Sequence, residues 1–580
     1  MTGTIQKILP AYGWLRGYTR GDLSRDFSAA LVITVMVVPQ SMAYAMLAGL
    51  PPIYGLYAST VPTVVYALLG TSRHMPVGPP ALMALLTFTS VSALAEPGTE
   101  RYVGLVLLLA LMVGALQLAL GLARMGLIAN FVSHPVLSGF IYASAVIIVL
   151  SQAQHLLGIS SSDEHSAPGM VVALWRDIGE TNPVTLLLGA LVIAGIPLLA
   201  RLAPRLPGSL VAVAASTLAV YLLALDEKGV SIVGAVPRGL PHLSVPPLDL
   251  ASLRALLPAA LIVAFIGFIE SISVAKALAA RERYKIDANR ELGALGLANV
   301  AAAFFSGFPV AGSFSRTAVQ YQSGGRTQMA SIMTALMVVV TLLFLTPLFY
   351  YLPNTALVAV IVVAVYKLVD PKDAYRVFET RKADGIALLI TFLVTLFVGV
   401  QEGVVAGALF ALFAFIRRTA YPNITELGYV EEEDAFLGLR SHPTAKSFPE
   451  ALILRFDARL YFANISFLDA RLASATVDRP HLKWVVMDCR GVNGIDVTAI
   501  EGLEALISDY RARGIEILFT HMKHQVRQPL RRAGWNERFK VNLSYSTTRD
   551  ALRAIGLLQD APHYAPETPQ SYRHPTAPLD

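Results

Sequence analysis

Hydrophobic and polar positions are not mixed along this chain. From Phe27 to Gly70 there is no Asp, Glu, Lys, Arg or His. A bilayer span needs about 20 apolar residues, so this run predicts two spans. Further charge-free runs are Met75–Ala95, Tyr102–Ala123, Pro135–Gln154, Val184–Ala200, Leu206–Leu225, Ala255–Ile269, Val300–Ser315, Met329–Tyr366, Gly385–Gln401 and Gly403–Ile416. Helices of a soluble core would show polar faces at helical spacing over such lengths. With Met329–Tyr366 taken as two, the pattern predicts an α-helical membrane protein of about 14 segments, some too short to span fully.

The charges that remain set an orientation, because Lys and Arg accumulate on the cytoplasmic side. The first 26 residues are polar and basic, with no short apolar core before a cleavage site, and predict a cytoplasmic N-terminal segment. Arg124, the pair Arg201 and Arg205, the cluster Arg281–Arg290, the cluster Lys367–Lys382, and Arg417 with Arg418 follow segments 4, 6, 8, 12 and 14. All are even-numbered and hence inside. The loop Gly158–Asn182 carries Asp163, Glu164, Asp177 and Glu180 against Arg176 and is expected outside. The expected location is the cell (inner) membrane, with both termini cytoplasmic.

Composition narrows the class. Of 580 residues 55% are hydrophobic and 15% charged, against about 25% charged in an ordinary soluble domain. This excludes a disordered chain, a collagen and a soluble enzyme. The net charge of +6 is accounted for by inside loops, so no nucleic-acid partner is expected. One cysteine, Cys489, excludes a disulfide framework and a cysteine zinc site. No metal site or resident cofactor is expected.

The two halves echo each other. A shift of 230 residues places Ala29-Ala-Leu31 on Ala259-Ala-Leu261 and Gln40-Ser41 on Glu270-Ser271, and a shift of 233 places Pro76-Val77 on Pro309-Val310. Seven segments per repeat is odd, so the halves have opposite topology, as in secondary transporters whose site lies between inverted repeats. The repeats are expected at about residues 27–225 and 252–420. Segment 3 opens with Met75-Pro-Val-Gly-Pro-Pro80 and segment 10 with Gly307-Phe-Pro-Val-Ala-Gly-Ser-Phe-Ser-Arg316. Each predicts an extended stretch leading into a short helix, the second with Ser313 as N-cap. Irregular backbone at membrane depth occurs where protein buries it or it lines a cavity. Two half-helix N-termini facing each other would form an anion site; two merely kinked helices are the plainer alternative.

Few ionisable residues lie within the spans. Glu270 follows fifteen uncharged residues in segment 8. A buried carboxylate is costly unless paired, wetted or protonated, which makes it a proton carrier, a cation ligand, a counter-charge for the empty site, or a structural partner of Arg316. Arg316 would add positive charge behind an anion, pair with Glu270, or snorkel. Lys276 is expected to snorkel and Glu402 to sit in a loop. In segment 1, Pro39 bends the helix, so Gln40, Ser41 and Tyr44 can offer hydrogen bonds to a ligand or serve helix packing.

Three stretches together carry a family resemblance: Val38-Pro-Gln-Ser-Met-Ala-Tyr-Ala-Met-Leu-Ala-Gly-Leu-Pro-Pro-Ile-Tyr-Gly-Leu-Tyr57, Gly70-Thr-Ser-Arg-His-Met-Pro-Val-Gly-Pro79 and Gly312-Ser-Phe-Ser-Arg-Thr317. The chain resembles the SulP anion transporters, a family that includes sulfate permeases, bacterial bicarbonate transporters, pendrin and prestin, from about residue 12 to 555. The resemblance implies a 7+7 inverted repeat, a core of segments 1–4 and 8–11, a gate of segments 5–7 and 12–14, a homodimer and elevator-like movement. It implies an anion held between half-helices 3 and 10, at Tyr44, Gly78, Pro79, Ala81, Ser313, Phe314, Ser315 and Arg316. Relatives with a sodium site have Asp where this chain has Glu270, and Thr four residues on, where it has Val274. The missing oxygen favours a co-transported proton over sodium.

After Arg418 the composition changes. Residues 421–440 read as a linker with the acidic run Glu431–Asp434. Ala451–Phe456, Lys483–Asp488 and Glu516–Thr520 predict strands, and Ser466–Ala475 and Thr498–Arg511 predict helices, giving a small α/β domain over 441–557. The run Val485–Ile500 resembles a STAS domain. Soluble relatives carry a phosphorylatable Ser after the position of Asp496; here Val497 and Thr498 follow. Asp488, Asp496 and Thr498 suggest either loop and cap roles or an anion site, and a cytoplasmic regulator is a possible partner. Residues 558–580 read as a disordered tail. The leading expectation is proton-coupled sulfate uptake. The alternatives are a sodium- or proton-coupled bicarbonate or C4-dicarboxylate transporter, an uncoupled anion exchanger or channel, and a receptor that signals through the STAS-like domain.

Overall fold

The long run Phe27–Gly70 breaks where Pro51 and Pro52 interrupt it, because proline can neither donate to the preceding turn nor follow a helical residue without a clash. Segment 1 is one helix, Arg20–Leu47, fastened at its start by a capping box between Thr19 and Asp22. Segment 2 is two short helices, Ile53–Ala58 and Val61–Leu69. The computed structural model describes residues 10–127, 133–159, 166–203, 208–366, 368–477, 479–539 and 544–559. The chain divides into two compact units, Met1–Ala411 and Leu412–Asp580.

In the first unit, eight helices among the described residues are long and apolar enough to cross a membrane, and they are segments 1, 4, 5, 6, 8, 11, 12 and 14. The other segments are shorter or broken: segment 2, segment 3 (Ala81–Val91), segment 7 (Gly208–Leu223), segment 9 (Ala288–Phe304), segment 10 (Phe314–Gln322) and segment 13 (Lys382–Phe397). Segment 9 begins well before the charge-free run at Val300. Its first turn carries Arg290 and Glu291, and Glu291 is fully buried. That carboxylate accepts from Tyr66 Oη, Thr71 N and Thr71 Oγ1, each at 2.6 Å, and from Ser72 N at 3.0 Å. It therefore ties segment 2 and the loop before segment 3 to segment 9 through four donors, which offset the cost of burying the charge.

Segments 4 (Glu100–Leu122) and 9 pack closely through facing glycines. A Cβ on Gly114 would stand 2.7 Å from the Gly296 carbonyl oxygen, and one on Gly296 would stand 2.8 Å from that of Gly114. Small residues that let backbones touch are the usual means of helix association in lipid. Beside this packing, where Asn299 and Gln117 meet, the two extended stretches come together. Strand β1 (Val77–Gly78) pairs antiparallel with β2 (Ala311–Gly312), with Val77 opposite Gly312 and Gly78 opposite Ala311. This two-stranded crossing joins the inverted repeats at the centre of the unit.

The second unit holds a six-stranded sheet in the order β4-β3-β5-β6-β7-β8. Strands β5 (Ala451–Phe456), β6 (Trp484–Asp488), β7 (Glu516–Thr520) and β8 (Ser544–Tyr545) are parallel neighbours, and helices Ile465–Thr476 and Val497–Ala512 lie between them in sequence. The expectation of a linker over 421–440 is corrected. Ile424–Val430 (β3) and Ala435–Gly438 (β4) form a hairpin whose first strand pairs with β5, and Glu431–Asp434 is its turn. The acidic run masked the strands, because polar side chains are tolerated on a sheet's outer pair. Of the expected tail, residues 560–580 lie outside the described residues.

Candidate anion site

Each arm of the crossing is pinned by buried polar side chains. In the first repeat Thr63 Oγ1 donates to the Val77 carbonyl at 2.7 Å. In the second, Asn299 Oδ1 accepts from Val310 N at 2.7 Å while its Nδ2 donates to the Val310 carbonyl at 3.0 Å and to Gln117 Oε1 at 3.0 Å. Gln117 Nε2 in turn donates to the Ala264 carbonyl at 2.9 Å. Ser271 Oγ accepts from Gly312 N at 2.8 Å. Strand backbone that would otherwise lie unpaired at membrane depth is thus satisfied on both faces. Asn299 and Gln117 were not among the expected residues. The signal for them is an amide side chain alone in an apolar run, which is costly in a span unless it has a partner.

From this bracket the two half-helices start. Pro80 precedes Ala81 with φ −93 and ψ 162, and Ser313 precedes Phe314 with φ −120 and ψ 128, both extended. Neither N-cap side chain takes up a first-turn N–H. Ser313, expected to cap, turns its hydroxyl to Ser315 Oγ at 3.1 Å instead. The first-turn N–H groups and the positive dipole ends are therefore left for a ligand.

A cavity of about 890 Å³ opens in front of them. Gln40, Tyr44, Ala81, Glu270, Ser313, Phe314 and Ser315 line it, and so do Leu137 and Ile141 of segment 5 and Val363 of segment 12. At one end stand His134, Asp370 and Asp373. Seven expected residues are brought together here. Gly78, Pro79 and Arg316 are not in the lining; they form the layer behind it.

Arg316 is 2% exposed. Its Nη2 donates to the Pro79 carbonyl at 2.7 Å and to Ser41 Oγ at 3.3 Å, and its Nε reaches Gln40 Oε1 at 3.5 Å. Gln40 Nε2 donates onward to Tyr44 Oη at 2.8 Å. The guanidinium so joins half-helix 10 to segments 1 and 3. A Cβ on Gly78 would collide with Arg316 Nη1 and force the guanidinium to move. Neither the snorkelling arginine nor the Arg316–Glu270 pair is found: Arg316 makes no ion pair with a carboxylate among the described residues. A buried cation balanced only by neutral oxygens is unfavourable, and an anion in the neighbouring cavity would relieve it.

Glu270 belongs to the same cavity. Its Oε2 is buried and has no hydrogen-bond partner. Val274, four residues on, is 3% exposed and offers no oxygen. Lys276 is exposed, and Glu402 stands exposed in the first turn of segment 14 (Val400–Ala420).

In the second unit, Asp496 caps helix Val497–Ala512 through Ala499 N at 2.8 Å and accepts from Phe462 N at 3.0 Å. Asp488 is fully buried, bonded to Arg490 Nε at 2.8 Å, with His521 Nδ1 at 3.5 Å. These are structural roles. Burial and the adjacent Asp488 push the Cys489 thiol up to about 12.

Two family models match the chain, the sulfate permease family over residues 23–391 and the STAS domain over 442–551. This chain belongs to the sulfate permease family. The probable sulfate transporter 4.2 of Arabidopsis thaliana is 35% identical over 569 residues, covering 95% of this chain and 84% of that protein. The probable sulfate transporter MT1781 of Mycobacterium tuberculosis (strain CDC 1551 / Oshkosh) is 35% identical over 549 residues, covering 94% and 98%. The sodium-independent sulfate anion transporter of Bos taurus is 33% identical over 547 residues, covering 88% and 86%. Among solved structures, that of murine Solute Carrier 26 family member A9 superposes with a TM-score of 0.88 at 24% identity, covering 96% of this chain and 95% of that one. The transmembrane domain of the cyanobacterial bicarbonate transporter BicA superposes with a TM-score of 0.60 at 22% identity over 68% of this chain and 98% of that one. Membership makes the chain a multi-pass membrane transporter of anions, built as a helical transport domain followed by a STAS domain.

Proposed function

We propose that this sulfate permease family member imports sulfate across the cell membrane together with a proton, by an elevator-like displacement of the core against the gate. The observation that carries the reading is the shared cavity. Two uncapped half-helix N-termini and one carboxyl oxygen without a partner face the same space. The helix ends take the anion through backbone N–H groups and their dipoles, with the Arg316 charge behind them. The proton enters with the anion at Glu270, so that the loaded core moves with less net charge than sulfate alone would impose. Sulfate is favoured by the names of the relatives above, and a proton over sodium by Val274 in place of an oxygen ligand. With the basic loops inside, the His134, Asp370 and Asp373 end of the cavity is the cytoplasmic one, and both termini are cytoplasmic. The chain works as a homodimer, and its STAS domain receives a cytoplasmic regulator.

The test is uptake of labelled sulfate into proteoliposomes under an imposed inward proton gradient. Glu270→Gln is expected to abolish acid-stimulated accumulation while sulfate–sulfate exchange persists. Accumulation with an unchanged pH profile would overturn the proton role. Competition by bicarbonate, C4-dicarboxylates and halides, with and without sodium, tests the substrate assignment.

A further inference from the structure

The first unit contains a second cavity, of about 910 Å³, which the transport reading does not use. It lies where the loops after segments 2, 8 and 10 come together. Arg25 from segment 1, Arg281 from the end of segment 8 and Arg326 from the loop after segment 10 all line it, with Glu282 as the single carboxylate in the lining. Residues far apart in sequence have thus been gathered into one basic pocket. Glu282 is occupied, since Tyr321 Oη donates to its Oε1 at 2.5 Å. The Arg281 guanidinium carbon lies 5.0 Å from the centre of the Tyr321 ring, a cation–π contact that leaves its N–H groups available to an acceptor. Arg326 reaches Asp22 at 3.2 Å through Nη1 alone. Thr317, 4% exposed, also lines the cavity, and its Oγ1 has no hydrogen-bond partner. The opposite wall is apolar, made by Val274, Leu278 and Phe314.

We propose that this pocket binds a phosphate-type oxyanion, carried either on an anionic phospholipid headgroup or as free inorganic phosphate, gripped by Arg25, Arg281 and Arg326. Three guanidinium groups match the oxygen pattern of a tetrahedral anion through forked, charge-assisted hydrogen bonds. An apolar wall beside a basic rim also accommodates the glycerol and first methylenes of a lipid. Phe314 and Ala318 of half-helix 10 line this cavity and the anion cavity alike. An occupant would therefore brace segments 1, 8 and 10 next to the anion cavity.

The experiment uses the purified full chain in nanodiscs, with binding rather than transport as the readout, so that it stands apart from the transport proposal. In one arm the nanodiscs contain phosphatidylglycerol in phosphatidylcholine, and retained lipid is counted by native mass spectrometry. In the other they contain phosphatidylcholine alone, and inorganic phosphate is titrated in sulfate-free buffer. Arg25→Gln combined with Arg281→Gln is expected to weaken binding by about tenfold or more in the arm that supplies the ligand. Arg201→Gln, an exposed arginine at the end of segment 6, is expected to change nothing. Arg281→Lys, which keeps the charge but loses the fork, should fall between and guards against a folding defect in the double variant. Loss in the first arm assigns the site to lipid, and loss in the second to free anion. Equal binding by wild type and double variant in both arms, or no binding by wild type in either, would overturn the proposal.

Discussion

Gln40 and Glu270 occupy matching positions of the two repeats, 230 residues apart, and both face the same cavity. Their surroundings differ. Gln40 is 4% exposed and spends its amide on Arg316 and Tyr44. Glu270 has a buried carboxyl oxygen with nothing bonded to it. The inverted repeat has therefore kept its backbone symmetry, down to the strand pairing of Val77 with Gly312, while dividing the chemistry. The first repeat holds the Arg316 guanidinium in place, and the second carries a buried carboxyl oxygen without a partner. On the proposed function this difference is what would let a symmetric scaffold move two unlike ions, since equal sites on both arms would bind two of a kind.

The arms of the crossing differ in the same sense. Val77 is held by one bond from Thr63, and Val310 by two from Asn299. The largest expected effect in the molecule is Asn299→Leu, which leaves the Val310 N–H and carbonyl and Gln117 Oε1 without partners. At about 1–3 kcal/mol for each buried group left unpaired, the loss is several kcal/mol. A clear fall in thermal unfolding temperature and complete loss of sulfate uptake are expected. Thr63→Val should cost about 1 kcal/mol and leave measurable uptake. If the two variants are equally damaging, the crossing is held symmetrically and the contrast drawn here is wrong.

How far this arrangement could be read beforehand depended on what each residue had to signal. Segments showed as charge-free runs because lipid tolerates no free charge. The half-helix starts showed as Pro and Gly at matching places, because irregular backbone needs them. Segment 9 was dated too late, since Glu291 looked like a loop charge until Tyr66, Thr71 and Ser72 closed around it. Arg316, Gln40, Ser41 and Pro79 each stood out, but the bonds among them did not. No periodicity or composition indicates that a guanidinium will bond to the Pro79 carbonyl rather than to Glu270, because that depends on where two distant helices cross. The hairpin over 424–438 was lost to its acidic turn. Asn299 and Gln117, single amides in apolar runs, were legible in principle.

The next effect in size concerns the division of chemistry itself. In the exchange Gln40→Glu with Glu270→Gln, the carboxylate moves to the first repeat but stays within the cavity. There it would meet Arg316 and be held ionised by it, so acid-stimulated accumulation should not return. The new ion pair also takes away the uncompensated charge behind the helix ends, and the KM for sulfate should rise by about tenfold, as for loss of one charge-assisted contact. Uptake at several pH values separates the two effects. Restored acid stimulation would show that any carboxylate in this cavity suffices and that the environment of Glu270 is irrelevant.

The smallest expected effect tests whether the coupling group and the anion-binding arm communicate. Ser271, adjacent to Glu270 on segment 8, accepts from Gly312 N while donating to the Gly267 carbonyl at 2.6 Å. It is the one side chain on segment 8 that bonds to the β2 strand among the described residues. Ser271→Ala removes one hydrogen bond and leaves the buried Gly312 N–H unpaired, a cost of about 1–3 kcal/mol. Because Asn299 still holds Val310, the strand should stay in place and the protein should remain folded. What should change is the setting of half-helix 10 against segment 8. Sulfate affinity is expected to fall a few-fold, and Ser271→Thr, which keeps the hydroxyl, to recover most of it. If Ser271→Ala lowers the unfolding temperature but leaves affinity and pH profile untouched, Ser271 serves stability alone.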